Sequence, residues 1–281
     1  MRHFLALSSI RFAIVVVQQT DDGRKFNRGQ LLNIGFVEAK RFFGSQRMSS
    51  AIFHDVDLLP SARLLPCYEE VPQCGRPHHL SCANTWWKVA GMLGGYRELF
   101  LGGVTAFAPA DFEACNGFPN DYWGWGLEDD QLRLRAAQAA CLTGGIKRPG
   151  SCVGTYTDID VGCNNLNILQ GAKRDEQPHL WNRKFLETRS VDGRYVLDLD
   201  VDWDGAAGIR GLRYHVQARV RMQPEELETL APPFVRDGRA RESEGPCHSE
   251  SISESVDEHQ SGLNDDTGEV ELIWVVAELG E

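Results

Sequence analysis

The sequence predicts an α/β protein whose sheet is built from a strand, a helix and a second strand. Residues 12–17 form a β-branched run of strand length that is apolar on both faces, which is typical of a central parallel strand. Apolar residues recur at helical spacing between Arg28 and Phe43, which predicts an amphipathic helix. A second short strand is predicted at residues 51–53. This order predicts a βαβ unit with parallel strands.

A loop, several short strands and one helix are predicted in the rest of the chain. Residues 60–95 are rich in Pro, Cys and His and predict a loop that carries His78 and His79 at the surface. A strand interrupted by two glycines is predicted within residues 98–108, and a helix is predicted over about residues 128–141. Further short strands are predicted near residues 195–201 and 212–220.

The negative charge of the chain is concentrated towards its carboxyl end. The net charge is −11, and residues 236–281 hold 3 Arg against 13 Asp or Glu, so the rest is almost neutral. Such a body lacks the basic surface that nucleic acid requires, so no nucleic-acid partner is expected. The Ser, Glu, Asp and Gly bias predicts disorder. We therefore expect a folded domain over residues 1–233 and an acidic, disordered tail over 234–281, in which residues 270–276 can still pair as a strand.

The sequence carries weak signals about compartment. No run approaches the 18 apolar residues of a membrane-spanning helix, and the first ten residues resemble a signal peptide only loosely. The 8 cysteines include no CxxC pair, which argues against a zinc ribbon. Their spacing leaves open whether they are buried thiols or form disulfides in a secretory compartment.

A pair of aspartates follows the second predicted strand. Asp55 and Asp57 are two residues apart on an extended segment, so their side chains point the same way. Two carboxylates suit Mg²⁺ or Mn²⁺, which keep open positions for phosphates. In open α/β sheets, ligands bind at this carboxyl edge of the strands. The alternative explanation of so short a pattern is a solvated strand end.

An acidic cluster follows a segment rich in Gly and Trp. The helix dipole favours carboxylates at a helix start, but Glu128, Asp129 and Asp130 exceed what capping requires. Trp123 and Trp125 precede them, each followed by a glycine that lets the backbone move. An indole offers a sugar an apolar platform with one N–H donor, and a carboxylate can take a proton from a hydroxyl. The segment predicts glycosyl transfer, with an aromatic lid beside a general base.

Several segments together carry a family resemblance. They are Phe26-Asn27-Arg28 with residues 31–36, His54-Asp55-Val56-Asp57 with residues 58–60, Gly102-Gly103-Val104, and residues 116–130. At these residues the sequence resembles the beta-1,4-galactosyltransferase family, with gaps, from about residue 3 to residue 220. His54 and Cys115-Asn116-Gly117 favour the branch that galactosylates xylose. Phe118-Pro119-Asn120 favours the branch that acts on N-acetylglucosamine.

The resemblance implies a GT-A fold, a mixed α/β sheet with a nucleotide-binding βαβ half. It implies inverting transfer of galactose from UDP-galactose to a glycan on a glycoprotein or proteoglycan, with Mn²⁺ as cofactor. It also implies a Golgi enzyme held by a membrane anchor. The implied site residues are Phe26 and Arg28 at the uridine diphosphate, Asp55 near the nucleotide, Asp57 on Mn²⁺, Trp125 as the lid indole, and Glu128 and Asp129 at the acceptor, with Asp129 as the base.

The sequence departs from the family pattern at three places. The family's first strand, its nucleotide-binding segment and the anchor are absent, for which a truncated gene model or fragment is the expected explanation. The second metal ligand of the family is a His, but Val161 stands there, so Asp158 or Asp160 takes its place or metal binding is weakened. Phe100 stands where the family has a Tyr, and it lies with Gly103 at the donor site that the resemblance implies. The Phe side chain keeps the bulk that would restrict the donor to galactose.

Two alternatives to galactose transfer remain at this point. One is transfer of N-acetylgalactosamine or another sugar from its UDP donor. The other is a catalytically silent relative that binds a glycan or a partner. The missing nucleotide segment and Val161 favour the silent relative, whereas Asp57 and Glu128-Asp129 favour an active enzyme.

Overall fold

The structure, a computed structural model, describes residues 1–44, 48–81, 100–150, 153, 156–158, 208–222 and 271–279. Its α-helices in these ranges are α1 (Arg2–Leu5), α2 (Arg28–Phe43), α3 (Leu65–Glu69), α4 (Pro109–Ala114) and α5 (Glu128–Gln138). Its strands are β1 (Ala13–Gln19), β2 (Ala51–His54), β3 (Leu58–Pro60), β4 (His78–His79), β5 (Val104–Phe107), β6 (Tyr156–Asp158), β7 (Tyr214–Met222) and β8 (Glu271–Leu279). Short 3₁₀ turns lie at Ala62–Leu64 and Ile209–Gly211.

The described strands form three hydrogen-bonded groups. In the first, β8 lies between β1 and β7, parallel to β1 and antiparallel to β7. In the second, β5 lies between β2 and β4 and is antiparallel to both. The third is the antiparallel pair of β3 and β6. The result is a mixed α/β architecture.

The individual elements agree with the sequence better than their pairing does. The predictions of β1, α2, β2, α5 and β7 are confirmed, and the bounds of α2 match. The predicted parallel pairing of β1 with β2 is wrong, because the parallel neighbour of β1 is β8, and β2 pairs antiparallel with β5. An apolar strand only requires a partner, and its local sequence does not specify which one. The predicted strand at 195–201 lies outside the described residues.

The predicted acidic tail contributes a strand to the sheet. Residues 271–279 form β8, so the prediction of a disordered tail over 234–281 is wrong for them, and their expected pairing is confirmed. Their apolar, β-branched run favours a strand inside an otherwise polar region. Residues 223–270 lie outside the described residues, so the domain boundary at residue 233 stays a prediction.

Helix α2 is fixed at both ends and on its buried face. The Asn27 side chain caps it by accepting a hydrogen bond from the Gln30 backbone N–H at 3.0 Å. Gly44, at φ 76°, ends it. Ile34 is fully buried against residues of β1, β7 and β8, while Phe36 packs on the other side into an aromatic core. This core consists of Phe36, Phe53, Phe107, Phe112 and Phe118.

A buried carboxylate ties α2 to β7. Glu38 is 0% exposed and accepts hydrogen bonds from Arg219 Nε at 2.6 Å and Tyr214 OH at 2.7 Å. Burial acts to raise the pKa of Glu38, but the hydrogen bonds from Arg219 and Tyr214 outweigh it and lower the pKa. This contact fixes β7, which lies at one side of the first group of described strands, against α2.

None of the described helices is both long and apolar enough to cross a membrane. The four described cysteines are Cys67, Cys74, Cys115 and Cys141, and all are free thiols. Cys115 and Cys141 are buried in the aromatic core, and burial raises their pKa values to about 12 and about 11. These two positions agree with the buried-thiol interpretation of the sequence.

Candidate active site

Arg28, in the first turn of α2, lies at the centre of the candidate site. Its Nε donates to Asp55 Oδ1 at 2.6 Å, and its Nη1 reaches Glu128 Oε1 at 3.4 Å. Its Nη2 donates to the Gly103 carbonyl at 3.5 Å. The side chain is 20% exposed, so the ion pairs are largely shielded from water. Burial acts to lower the pKa of Arg28, but the surrounding carboxylates outweigh burial, and the pKa is raised above its ordinary value.

The close approach of α2 and α5 places Glu128 next to Arg28. A Cβ on Gly29 would come within 2.8 Å of the Pro119 carbonyl oxygen and 3.7 Å of Glu128 Cβ, so only glycine fits there. Leu127 precedes α5 at φ 70°, a left-handed conformation that is unusual for a non-glycine residue. The backbone therefore turns sharply just before the two carboxylates that begin the helix.

Asp129 is held in an unusual electrostatic environment. Part of its surface remains accessible, but the surrounding protein desolvates the carboxyl and raises its pKa well above the ordinary value. Nearby Glu128, Asp130 and Asp55 raise the pKa further, and Arg28 opposes them. A carboxyl with a raised pKa at a partly exposed position has the character of a proton-transfer group. Glu128 Oε2 is also buried without a hydrogen-bond partner among the described atoms.

Hydrogen bonds from neighbouring segments hold the turn that carries Asp55 and Asp57. Asp55 N–H donates to the Gly103 carbonyl at 3.1 Å, which joins this turn to the residues before β5. The His54 ring contacts the Asp55 carbonyl through Nδ1 at 2.6 Å and the Tyr68 hydroxyl through Nε2 at 2.8 Å. Tyr68 in turn lies 2.9 Å from the Tyr156 hydroxyl on β6. The turn is thus linked by side chains to the strand that leads to Asp158.

The predicted metal ligands are only partly within the described residues. Asp57 is partly buried just before β3, and the backbone of Asp158 lies opposite Leu58 in the β3–β6 pair. Asp160 lies outside the described residues, as does Val161. Within the described part of the chain, no group of three or more His, Cys, Asp or Glu residues is arranged to hold a metal ion. The carboxylates that are present are of the hard-oxygen type that Mn²⁺ accepts.

Two exposed aromatic side chains stand on adjoining segments. Phe26 is 61% exposed and Trp125 is 43% exposed, whereas most large apolar side chains of this region are buried. Gly124 N–H donates to the Phe26 carbonyl at 2.8 Å, which joins the two segments. Gly124 and Gly126 have φ values of 97° and 114°, which glycine adopts readily. Exposed rings on a glycine-flanked loop suit contact with a nucleotide or sugar.

The segment 100–103 forms one wall of the site. A Cβ on Gly102 would overlap the Asp129 carboxylate and lie 2.5 Å from Phe100 Cζ, so this segment lies directly against the candidate base. His79 contacts this segment through the Gly102 carbonyl oxygen. The prediction that His78 and His79 are at the surface is wrong, because they form β4 and are 3% and 0% exposed. Their Pro-rich sequence context suggested a loop and contained no signal of burial.

Sequence reasoning missed the buried polar residues that hold the backbone of residues 117 and 118. Asn33 is fully buried, accepts from the Phe118 N–H at 2.9 Å and donates to the Phe118 carbonyl at 2.8 Å. Arg135, 2% exposed on α5, donates to the Gly117 carbonyl at 3.2 Å. Polar residues on the apolar faces of predicted helices are the signal that could have found them, because buried polar groups need partners.

Solved structures of similar architecture identify the fold. The chain is similar to a Drosophila beta-1,4-galactosyltransferase 7 mutant in complex with manganese, UDP-Gal and xylobiose, with a TM-score of 0.56, 22% identity, and coverage of 99% of this chain and 85% of that chain. It is also similar to the catalytic domain of the Drosophila enzyme in complex with xylobiose, with a TM-score of 0.54 and 20% identity. The fold is that of a GT-A glycosyltransferase.

Sequence comparisons then define the family. Residues 1–67 match the N-terminal region of glycosyl transferase group 7, and residues 79–160 match the model described as the N-terminal domain of galactosyltransferase. The chain is 36% identical to beta-1,4-galactosyltransferase 4 of Cricetulus griseus over 195 residues, which are 66% of this chain and 51% of the relative. It is 39% identical to the Homo sapiens protein of that name over 181 residues, 61% of this chain and 48% of the relative. The chain belongs to the beta-1,4-galactosyltransferase family, glycosyltransferase family 7, and spans about half the length of these relatives.

Proposed function

We propose that this chain moves galactose from UDP-galactose to a sugar hydroxyl on a glycan. The observation that carries the proposal is the Arg28 guanidinium, which contacts Asp55 on one side and Glu128 on the other. Asp55 belongs to the proposed donor side and Glu128 to the proposed acceptor side. A donor and an acceptor bound there would lie next to each other, and a direct transfer requires that proximity.

Asp129 is the proposed general base. It accepts the proton of the acceptor hydroxyl while that oxygen forms a bond to the anomeric carbon of galactose. The bond from this carbon to the UDP oxygen breaks, and UDP leaves with the electron pair, so the anomeric configuration is inverted. The raised pKa of Asp129 supports this role, because its carboxylate is a stronger proton acceptor than a solvated aspartate. Glu128 Oε2, buried and without a hydrogen-bond partner among the described atoms, is proposed to accept a hydrogen bond from the acceptor sugar.

The donor side is proposed to bind the nucleotide with the help of a divalent cation. Asp57 would hold Mn²⁺, and Asp158 or Asp160 would supply the second protein ligand. The antiparallel pairing of β3 with β6 supports this arrangement, because it brings the segment of Asp158 beside that of Asp57. When bound, Mn²⁺ would neutralise charge on the diphosphate leaving group. Phe26 and Trp125, both exposed, are proposed to cover the nucleotide and the sugar.

The proposed acceptor is xylose or N-acetylglucosamine on a glycoprotein or proteoglycan, and the proposed compartment is the Golgi lumen. Support for the acceptor class comes from the mixed sequence signals at Cys115-Asn116-Gly117 and Phe118-Pro119-Asn120. The solved relative whose complex contains xylobiose supports the xylose arm of the proposal.

A transfer assay tests the proposal directly. Purified protein is incubated with Mn²⁺, UDP-galactose or UDP-N-acetylgalactosamine, and a β-xyloside or a β-N-acetylglucosaminide. We expect galactose transfer to one acceptor, a loss of about 10²- to 10⁴-fold in kcat for Asp129→Asn, and loss of Mn²⁺ binding for Asp57→Ala, read from the electron paramagnetic resonance signal of free Mn²⁺. Glu113→Gln, an exposed carboxylate paired with Lys40, is the control. Full turnover in Asp57→Ala or Asp129→Asn would overturn the assigned roles.

A silent glycan-binding relative is the second candidate function. Val161 favours it, because an apolar side chain stands where the family has a metal ligand. Such a protein would bind the acceptor glycan, measured by isothermal titration calorimetry, while releasing no UDP from UDP-galactose. The assay therefore separates the two candidates.

A further inference from the structure

Arg148 and the fully buried His79 form a polar pair behind the wall of residues 100–103. His79 Nε2 lies 3.0 Å from the Gly102 carbonyl oxygen, and Arg148 Nε lies 3.2 Å from His79 Nδ1. A guanidinium can only donate, so Nδ1 is the acceptor and the proton of the imidazole resides on Nε2. The ring therefore donates to Gly102 and accepts from Arg148, and each interaction fixes the orientation that the other needs.

The same pair holds both ends of the short wall. Arg148 Nη2 donates to the Phe100 carbonyl at 2.8 Å, and the His79 ring meets the Phe100 ring edge-on with centroids 5.6 Å apart. Ser81 Oγ adds a second hydrogen bond to the Gly102 carbonyl at 3.1 Å and accepts from the Val104 N–H at 2.9 Å. The backbone carbonyls of residues 100 and 102 are thus both held from the side away from the site.

The opposite side of this wall faces the reacting groups. Gly102 lies against the Asp129 carboxylate, and the Gly103 carbonyl accepts from Arg28 and from the Asp55 N–H. A shift of the wall would therefore move the groups around Asp129 and Arg28 together. Misplacement of about 1 Å at such a position lowers a rate by about a hundredfold.

We propose that His79 and Arg148 are positioning residues for galactose transfer, which they support by holding residues 100–103 in place against Asp129. This inference rests on the proposed function. Neither side chain touches the substrate in this proposal; both act through the carbonyls of Phe100 and Gly102.

The test is a comparison of His79→Leu with His79→Gln. Leu removes both hydrogen bonds, whereas Gln can again donate to Gly102 and accept from Arg148. We expect kcat for transfer, per folded molecule, to fall about ten- to a hundredfold in His79→Leu, with the KM for UDP-galactose changed less than about threefold, and to recover in His79→Gln. The matched control is His78→Leu, the same substitution at the adjacent buried residue of β4, for which we expect unchanged kcat.

A second variant, Arg148→Lys, tests the same role if His79→Leu does not fold. Lys keeps the charge but cannot contact His79 and Phe100 together as the planar guanidinium of Arg148 does. We therefore expect kcat to fall in Arg148→Lys as in His79→Leu. Nitrogen-15 spectra of labelled His should show the Nε2–H tautomer of His79 in the unaltered protein and a tautomer mixture in Arg148→Lys. Unchanged kcat in these variants, with the unaltered protein active, overturns the positioning role alone. Absence of turnover in the unaltered protein overturns the proposed function and this inference with it.

Discussion

Arg28 Nε lies 2.6 Å from Asp55 Oδ1, and this contact joins the first turn of α2 to the turn that follows β2. The same guanidinium reaches Glu128 at the start of α5. One cation is therefore shared between carboxylates from two other segments of the chain. Its removal would leave negative charges facing each other in a partly desolvated site, a situation that is costly in proteins.

The first prediction concerns this shared cation. Arg28→Met should lower the free energy of unfolding by about 3 kcal/mol, because Asp55, Glu128 and Asp129 lose their counter-charge. Arg28→Lys should lower it by less, since it keeps the charge but lacks the planar fork. Urea unfolding measures both changes. Arg63→Met, at an exposed residue of the 3₁₀ turn Ala62–Leu64, is the control and should cost below about 0.5 kcal/mol. A cost for Arg28→Met no greater than that of the control would contradict the prediction.

A second prediction is that Asp129→Asn stabilises the protein while it lowers the rate of the proposed transfer. The folded pKa of Asp129 is raised, so the stability that it supports is fully present below its unfolded pKa of about 3.9 and is lost as pH rises through the folded value. Asn removes the buried charge and should add about 1 kcal/mol at pH 7. Thermal unfolding at pH 7 and pH 3.5 measures this gain, which should disappear at the lower pH.

The pH dependence of the rate provides a third prediction. Since the proposed base Asp129 has to be deprotonated to accept a proton, kcat/KM for the proposed transfer should fall on the acid side with an apparent pKa above that of an ordinary aspartate. Glu128 is one of the charges that raise this pKa, so Glu128→Gln should move the acid limb to lower pH in the residual activity. Rates with UDP-galactose across the pH range measure the shift, and an unmoved limb would argue against the electrostatic coupling.

The fourth prediction tests the close contact at Gly102. Gly102→Ala should cost about 1–3 kcal/mol of stability and lower kcat, because the added methyl group meets Asp129 and Phe100. Gly150→Ala is the matched control, since nothing lies within 4 Å of a Cβ at that glycine. Its effect should stay within about 0.5 kcal/mol. Equal free energies of unfolding for the two variants in urea would contradict the prediction, because residues 100–103 would then accommodate the methyl group without loss of stability.

The fifth prediction concerns Glu38 and the docking of β7. The folded pKa of Glu38 is lowered, so its contribution is present above its unfolded pKa of about 4.3 and is lost as pH falls through the folded value. Glu38→Gln should cost about 2 kcal/mol at pH 7 and progressively less below about pH 4. Glu70→Gln, in an exposed pair with Lys147, should cost below about 1 kcal/mol at either pH. Guanidinium unfolding at the two pH values separates these effects.

The local pattern of the sequence predicted several of the elements and the residues of the candidate site. The helical spacing between Arg28 and Phe43 reproduced α2, and Asp55, Glu128 and Asp129 were found because they follow a strand or begin a helix. The contact of Arg28 with Glu128 was not predictable from pattern, since it depends on how closely Gly29 lets two helices approach. His79 was misplaced for a similar reason, because its burial comes from strands that are distant in sequence.

The pairing of β1 with β8 has a consequence for how the protein is made. Ala13 lies opposite Glu271, so the apolar strand β1 leaves the ribosome well before its partner, which follows about 250 residues later in the chain. During that interval its hydrogen-bonding edge is available to other chains, and long-range pairings of this kind form slowly. Shielding of β1 until β8 emerges would therefore limit its mispairing with other chains.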